Sequence, residues 1–302
     1  MSNDLYDLYL IGTNHCDVDG IFRLEHILNK LNPDIITLEM SEDRDDNSKL
    51  IEKDLELKMI KVELEAVKIL INNIEQETKA REILLRDDKT LFKSLQQDYF
   101  RNVNKRFDEK QLAAFATLDM IVSGISNYEL KVSKVYVNKN KNSQLKYIDL
   151  NVLQKRSQEF AKGYKILERK SIKKVFESDE NSHGFLSALD EGSAKVISNL
   201  RKGISNKYKN YRETARVFEK IRKNIHKIYS DSNLTESEKL VLKAMYNPER
   251  DKKMCSEIRN LIVKQKDKAL IALIGLGHLL PLEIALADYS PKVLTLGEYE
   301  NV

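Results

Sequence analysis

Cysteine is scarce in this chain: there are two in 302 residues, Cys16 and Cys255. Two cysteines do not build a disulfide framework, and a reducing cytoplasm is the simplest home for such a protein. Four prolines and ten glycines, with 32% of residues charged, point to a helix-rich soluble protein. Tryptophan is absent, which excludes nothing. The net charge of +4 is too small to name a partner. The amino terminus has no basic region followed by a long apolar run, so no signal peptide is expected. Ala269 to Ala287 approaches the length of a membrane span, about 20 residues. Gly275, Gly277, His278, Pro281 and Glu283 interrupt it. A buried strand, a Gly-rich turn and a helix start explain it better, and no membrane span is expected. Hydrophobic residues make up 41% of the chain, enough for one large core or two small ones.

Histidine is also sparse, with five in all, and two of them share an unusual context. Leu-Ile-Gly-Thr-Asn-His ends at His15, and Leu-Ile-Gly-Leu-Gly-His ends at His278. Each is an apolar, strand-like run that stops at Gly-x-x-His. If both strands lie in one sheet, both imidazoles arrive at the same edge, a geometry that suits a metal site.

The first forty residues read as strand, helix, strand: Tyr6 to Ile11, Asp19 to Lys30, and Ile35 to Leu38 ending at Glu39. Near-continuous apolar strands separated by one amphipathic helix suggest a parallel βαβ unit. Leu50 to Leu85 is helical and highly charged, and Gln111 to Ile125 is a more apolar helix. Lys131 to Val137 looks strand-like, and Leu145 to Ile148 is another strand, stopping at Asp149. Val152 to Tyr229 is mostly helical and basic. Helices fit Glu236 to Tyr246 and Arg250 to Lys266. Strand Leu270 to Ile274, a helix from Leu279 to Ala287 and strand Val293 to Leu296 close the chain. The expected architecture is a single α/β domain whose mostly parallel central sheet comes from both chain ends. Helices flank it, with long helical insertions over about residues 48–130 and 152–246.

Ligands of open parallel sheets bind outside the carboxyl ends of the strands. His15, Glu39, Asp149 and His278 all fall at such ends. Two imidazoles and a carboxylate suit Zn²⁺, Mn²⁺, Co²⁺ or Fe²⁺, and an open coordination position could activate water. The blander reading is that each histidine hydrogen-bonds a loop and Glu39 caps a turn. Cys16, next to His15 on an extended segment, is expected to face away from the site. Asp17 or Asp19 reads as a helix cap.

Gly12-Thr-Asn-His15, the Asn32-Pro-Asp34 turn, Glu39 followed by Arg44, and Gly275-Leu-Gly-His278 together resemble the TraB/Tiki family. That family includes pheromone-shutdown proteins and metal-dependent Tiki proteases. Glu249-Arg250-Asp251 is similar to its late arginine motif, and Ile148-Asp149 to its Ile-Asp-Arg strand end, although Leu150 stands where the family often has arginine. The likeness covers the first 44 residues well and the last 55 moderately. It implies that His15, Glu39 and His278 ligate or adjoin a divalent transition metal (Mn, Co, Zn or Fe). Glu39 would alternatively be the general base. Arg250 and Arg44 would bind a substrate carboxylate or stabilise an oxyanion.

The function expected from these residues is a cytoplasmic, metal-dependent hydrolase acting on a peptide or small amide. The alternative is a non-catalytic protein of the same fold that binds a peptide, a metal or haem. A third reading is a metal-dependent nuclease using the basic segment from Arg201 to Lys227. That segment reads more simply as a solvated helix face or as a partner of the acidic stretch Glu42 to Asp46, so nucleic acid is not the expected partner. Long helices such as Leu50 to Leu85 often need a partner surface, which makes a homodimer plausible.

Overall fold

The computed structural model describes residues 7–41, 53–72, 111, 114, 121, 125–150, 158–177, 187–188, 191–265 and 268–301. Five strands form one all-parallel sheet: β1 (Leu8–Thr13), β2 (Ile35–Leu38), β3 (Gln144–Tyr147), β4 (Leu270–Gly275) and β5 (Lys292–Thr295), in the order β3-β2-β4-β1-β5. The central strands are almost wholly buried, as expected of parallel strands covered on both faces. The two ends of the chain are hydrogen-bonded neighbours. Leu8 pairs with Leu270 and Thr13 with Gly275, so the two look-alike segments lie side by side.

Helix α1 (Gly20–Leu31) buries Ile21, Leu24, Ile27 and Leu28 against the sheet. It ends at Asn32, which adopts the left-handed conformation at φ 44° and donates its N–H to the Leu28 carbonyl, a common helix stop. Pro33 follows. The next helices are α2 (Lys53–Asn72) and α3 (Tyr128–Lys139), then α4 (Gln158–Glu177), α5 (Ser193–Lys209) and α6 (Tyr211–Lys223). After these come α7 (Ile225–Tyr229), α8 (Glu236–Met245), α9 (Glu249–Lys264) and α10 (Leu276–Ala285).

Connections out of β1 and β2 run one way across the sheet, and those out of β3 and β4 run the other way. Right-handed crossovers therefore put α1 and α3 on one face and α9 and α10 on the opposite face. Packing of α1 on α3 and of α9 on α10 agrees. The winding reverses between β2 and β4, and the crevice outside their carboxyl ends is where open α/β sheets bind ligands.

Two sequence expectations are corrected. Lys131 to Val137 is not a strand but the centre of α3. Its buried residues Tyr128, Glu129, Val132, Ser133, Val135 and Tyr136 recur at the three- and four-residue steps of a helix, so packing against α1 overrides the β-propensity of the valines. No separate Gly-rich turn follows β4: the chain passes straight into α10 at Leu276, three residues before the expected start, which puts His278 in the first helical turn. Of Leu50 to Leu85, the described part is helical from Lys53 to Asn72 and the rest lies outside the described residues. Most of Gln111 to Ile125 lies outside them too, but Ala114, Ile121 and Ile125 are buried in the core. No helix among the described residues is long and apolar enough to cross a membrane.

Candidate functional site

Glu39 leaves the end of β2 with its backbone N–H bonded to the Leu273 carbonyl, which extends the β2–β4 pairing by one residue. Its carboxylate is thereby delivered to the carboxyl end of β4. There Oε2 accepts the Gly275 N–H at 2.6 Å. A Cβ at position 275 would sit 2.9 Å from that same oxygen, so glycine is required for the close approach, not for its backbone angles. Oε1 accepts from Arg250 Nη2 at 2.7 Å and lies 3.2 Å from His278 Nε2.

Arg250, in the first turn of α9, is buried and spends all its donor-bearing nitrogens. Nε and Nη2 grip both oxygens of Asp149 at 2.7–3.1 Å, Nη2 also reaches Glu39, and Nη1 donates to the Met245 carbonyl. Asp149 gets its position from the edge of the sheet, its N–H bonding the Met40 carbonyl. One guanidinium thus ties the ends of β2 and β3 to α9.

His278 is 3% exposed. Its Nδ1 makes a short contact with Asp251 Oδ1, which places the ring proton on Nδ1, donated to Asp251. Arg222 Nη2 lies 2.7 Å from the same nitrogen. It cannot donate to an N–H, so its productive bonds are the two to Asp251. Phe218 packs edge-on to the imidazole, at 5.3 Å between centroids, and carries the Arg222 guanidinium over its face. With Nδ1 committed, Nε2 and Glu39 Oε1 face each other as two acceptors. Such a contact persists only if a second ring proton or a cation lies between them. The charge balance says the same: three carboxylates, the buried Glu39 and Asp149 side chains and the partly exposed Asp251, face two buried guanidiniums, Arg222 and Arg250.

His15 reaches the same sheet edge but takes a different environment. The chain turns at Asn14, whose side chain accepts the Cys16 N–H and whose carbonyl accepts the Asp17 N–H. The His15 side chain is 66% exposed and its Nδ1 is 2.8 Å from Glu129 on α3. It still lies near enough for its charge to act on Glu39. Cys16 is exposed. Asp19 takes the N-cap position of α1 without a side-chain cap bond and pairs instead with Arg201; Asp17 accepts from Arg23 and Tyr208. Arg44 lies outside the described residues.

The sequence pattern placed Arg222 only among the basic residues of the 201–227 segment and gave Asp251 and Glu129 no role of their own. Asp251 was visible inside the Glu-Arg-Asp motif. Arg222 had a signal of its own: it continues the inward line Tyr211, Ala215, Phe218, and Ala215 and Arg222 are the buried residues of α6. Other basic residues of the segment are surface partners, such as Arg212 on Glu283.

Burial by itself would raise the Glu39 carboxyl. The charges of His278, Arg250 and His15 and the Gly275 N–H outweigh it and hold the group at about 2, against an ordinary 4.5. Asp251 is likewise lowered: burial opposes ionisation, but the His278 bond and Arg222 prevail. A depressed carboxyl contributes stability above its unfolded value and loses it as pH falls towards the folded one. The Glu39 contribution, on the order of 3 kcal/mol, is therefore complete above about pH 4.5 and vanishes towards pH 2. Asp17 has the opposite sign, since burial raises it. Urea midpoints measured from pH 7 down to 3 are expected to fall most steeply below 4.5, and Glu39→Gln is expected to flatten that slope. An unchanged slope in the variant would contradict the assignment.

Among the described residues, no group of three or more His, Cys, Asp or Glu is placed to hold a metal ion. His278 Nε2 and Glu39 Oε1 suit a divalent transition metal as donors, but a catalytic zinc takes three protein ligands, and His15 is turned to Glu129. The donor set is one short. A cavity of about 420 Å³ between α9 and α10, lined by Asp251, Cys255, Ser256, Arg259 and Pro281 among others, opens beside the cluster. Comparison with known proteins returns no matching family model, no matching curated protein and no matching solved structure, so the TraB/Tiki likeness rests on the motif residues alone.

Proposed function

We propose that the cluster at the ends of β2 and β4 is the reaction centre of a hydrolase of the TraB/Tiki type, acting on a peptide or small amide bond. The observation that carries this reading is the buried pair of acceptors, His278 Nε2 and Glu39 Oε1, at the winding reversal of a parallel sheet. In the proposed chemistry Asp251 holds the imidazole in one tautomer, and His278 and Glu39 pass a proton between water and the leaving nitrogen. Arg250 keeps Glu39 ionised and aimed. His278 and Glu39 would hold a divalent transition metal only if His15 left Glu129 to complete the donor set; the metal would then supply a polarised water. The cavity between α9 and α10, which meets the cluster at Asp251 and is lined by neither Glu39 nor His278, has a volume within the ordinary range for small-molecule sites, roughly 300–1,000 Å³. The two unpaired cysteines support placing this activity in the cytoplasm.

The test is incubation of the purified protein with a peptide mixture, alone and with added Mn²⁺, Co²⁺ or Zn²⁺. Cleavage that disappears in His278→Ala, with an unchanged circular dichroism spectrum, is the expected result. Equal cleavage by that variant would remove the reading.

A further inference from the structure

Helix α2 has two apolar faces, and the fold uses one of them. Leu57, Ile60, Leu64, Val67 and Ile71 are buried, alternating three- and four-residue steps, and α2 packs on α3. A second series, Leu55, Met59, Val62, Ala66 and Ile69, runs along the opposite side with steps of four, three, four and three. Leu55 is 51% exposed, Met59 55%, Val62 71% and Ile69 58%. Those four are among nine large hydrophobic side chains exposed in the described residues, and no other helix presents more than one. Scattered exposed apolar residues need no explanation, whereas a contiguous row does. A surface helix needs only one apolar stripe to dock on its own domain.

The spacing of the exposed row is that of a coiled-coil seam, with Met59 and Ala66 at a positions and Leu55, Val62 and Ile69 at d positions. The buried row then occupies b and f, on the far side of the helix, so the seam points away from the body and a second helix has room to approach. The flanking charges choose the partner and its direction. Lys58 falls at a g position and Glu63 at the following e position. In a parallel pair of identical helices these two meet across the seam, once on each side, and attract, the Glu63 carboxylate then being shared with Lys131 of its own α3, which donates to it at 2.6 Å. Of the two antiparallel registers over this row, one sets Glu63 against Glu63 and Glu65 against Glu65, and the other sets Glu56 against Glu63 while Lys58 meets Glu65, so each brings like charges together and the parallel pair does not. We propose that α2 is the dimerisation helix of this protein, pairing in parallel and in register with α2 of a second copy over the 15 residues from Leu55 to Ile69, about 21 Å from first to last.

Sedimentation of the full chain tests this. The expected species is a dimer of twice the 35.0 kDa chain mass, dissociating to monomer in Val62→Glu with an unchanged circular dichroism spectrum. Direction is read from a cysteine placed at the end of the seam. Leu55→Cys in a Cys16→Ser background is expected to form a 55–55 disulfide with glutathione disulfide as oxidant. In an antiparallel pair the two copies of position 55 are too far apart to join. A monomer at all concentrations, as when another segment of the same chain covers the row, would overturn the proposal. So would a dimer that persists in Val62→Glu, or cross-linking that requires a mixture of Leu55→Cys with Ile69→Cys.

Discussion

Arg250→Ala is expected to destabilise the protein by about 3–5 kcal/mol, the usual cost of removing one partner from a buried ion pair. The substitution leaves the Glu39 and Asp149 carboxylates buried, without the guanidinium that now touches both, and it frees the Met245 carbonyl. Both carboxylates would then gain from protonation, so the loss should be largest near neutral pH and shrink on acidification. Lysine should rescue poorly, because its single ammonium cannot reproduce the two-pronged grip on Asp149. Adding Glu39→Gln to Arg250→Ala should recover part of the loss by removing one of the stranded charges. Urea denaturation at pH 7 and pH 5 measures all of this. A loss below about 1 kcal/mol, the level of an exposed ion pair, would mean that Arg250 does not anchor the cluster.

Glu39→Gln is expected to lower the rate of hydrolysis by about 10²–10⁴, the range for loss of a general acid–base group, with the fold retained. Glutamine matches the shape of glutamate, and its carbonyl oxygen can still accept the Gly275 N–H, while Arg250 keeps its three bonds to Asp149. What the amide cannot do is take up a proton or supply the negative charge that His278 Nε2 faces. The effect should therefore fall on kcat more than on KM. A rise in KM alone, or no change in either constant, would deny Glu39 a part in the chemical step.

Much of the framework is legible in the residues. The apolar runs at 8–13, 35–38 and 270–275 are strands because only a two-sided core accommodates such runs, and the placement of Glu39, Asp149 and His278 at one edge follows from strand direction alone. Leu150 in place of an arginine left the part of Asp149 open, and the bond from Arg250 shows where it is used. Other features needed the fold. Val132, Val135 and Val137 look like a strand until α1 is there to pack against. His15 and His278 have the same local sequence pattern but diverge for a local reason: Asn14 closes a turn with its side chain, whereas Leu276 and Gly277 continue into a helix. Glu129, the partner of His15, lies 114 residues away, a separation no motif bridges. Arg222 was hidden by its company, a basic surface helix whose inward line happens to end in a cation.

The most direct measurement is mass-spectrometric detection of peptide products at pH 7 from one mixture incubated in parallel with wild-type protein and with Glu39→Gln, each with and without added divalent metal. Cleavage by the wild type that is lost in the variant would establish the Glu39–His278 pair as a hydrolytic centre. No cleavage by the wild type under any of these conditions, or the same products at the same rate from both proteins, would contradict it.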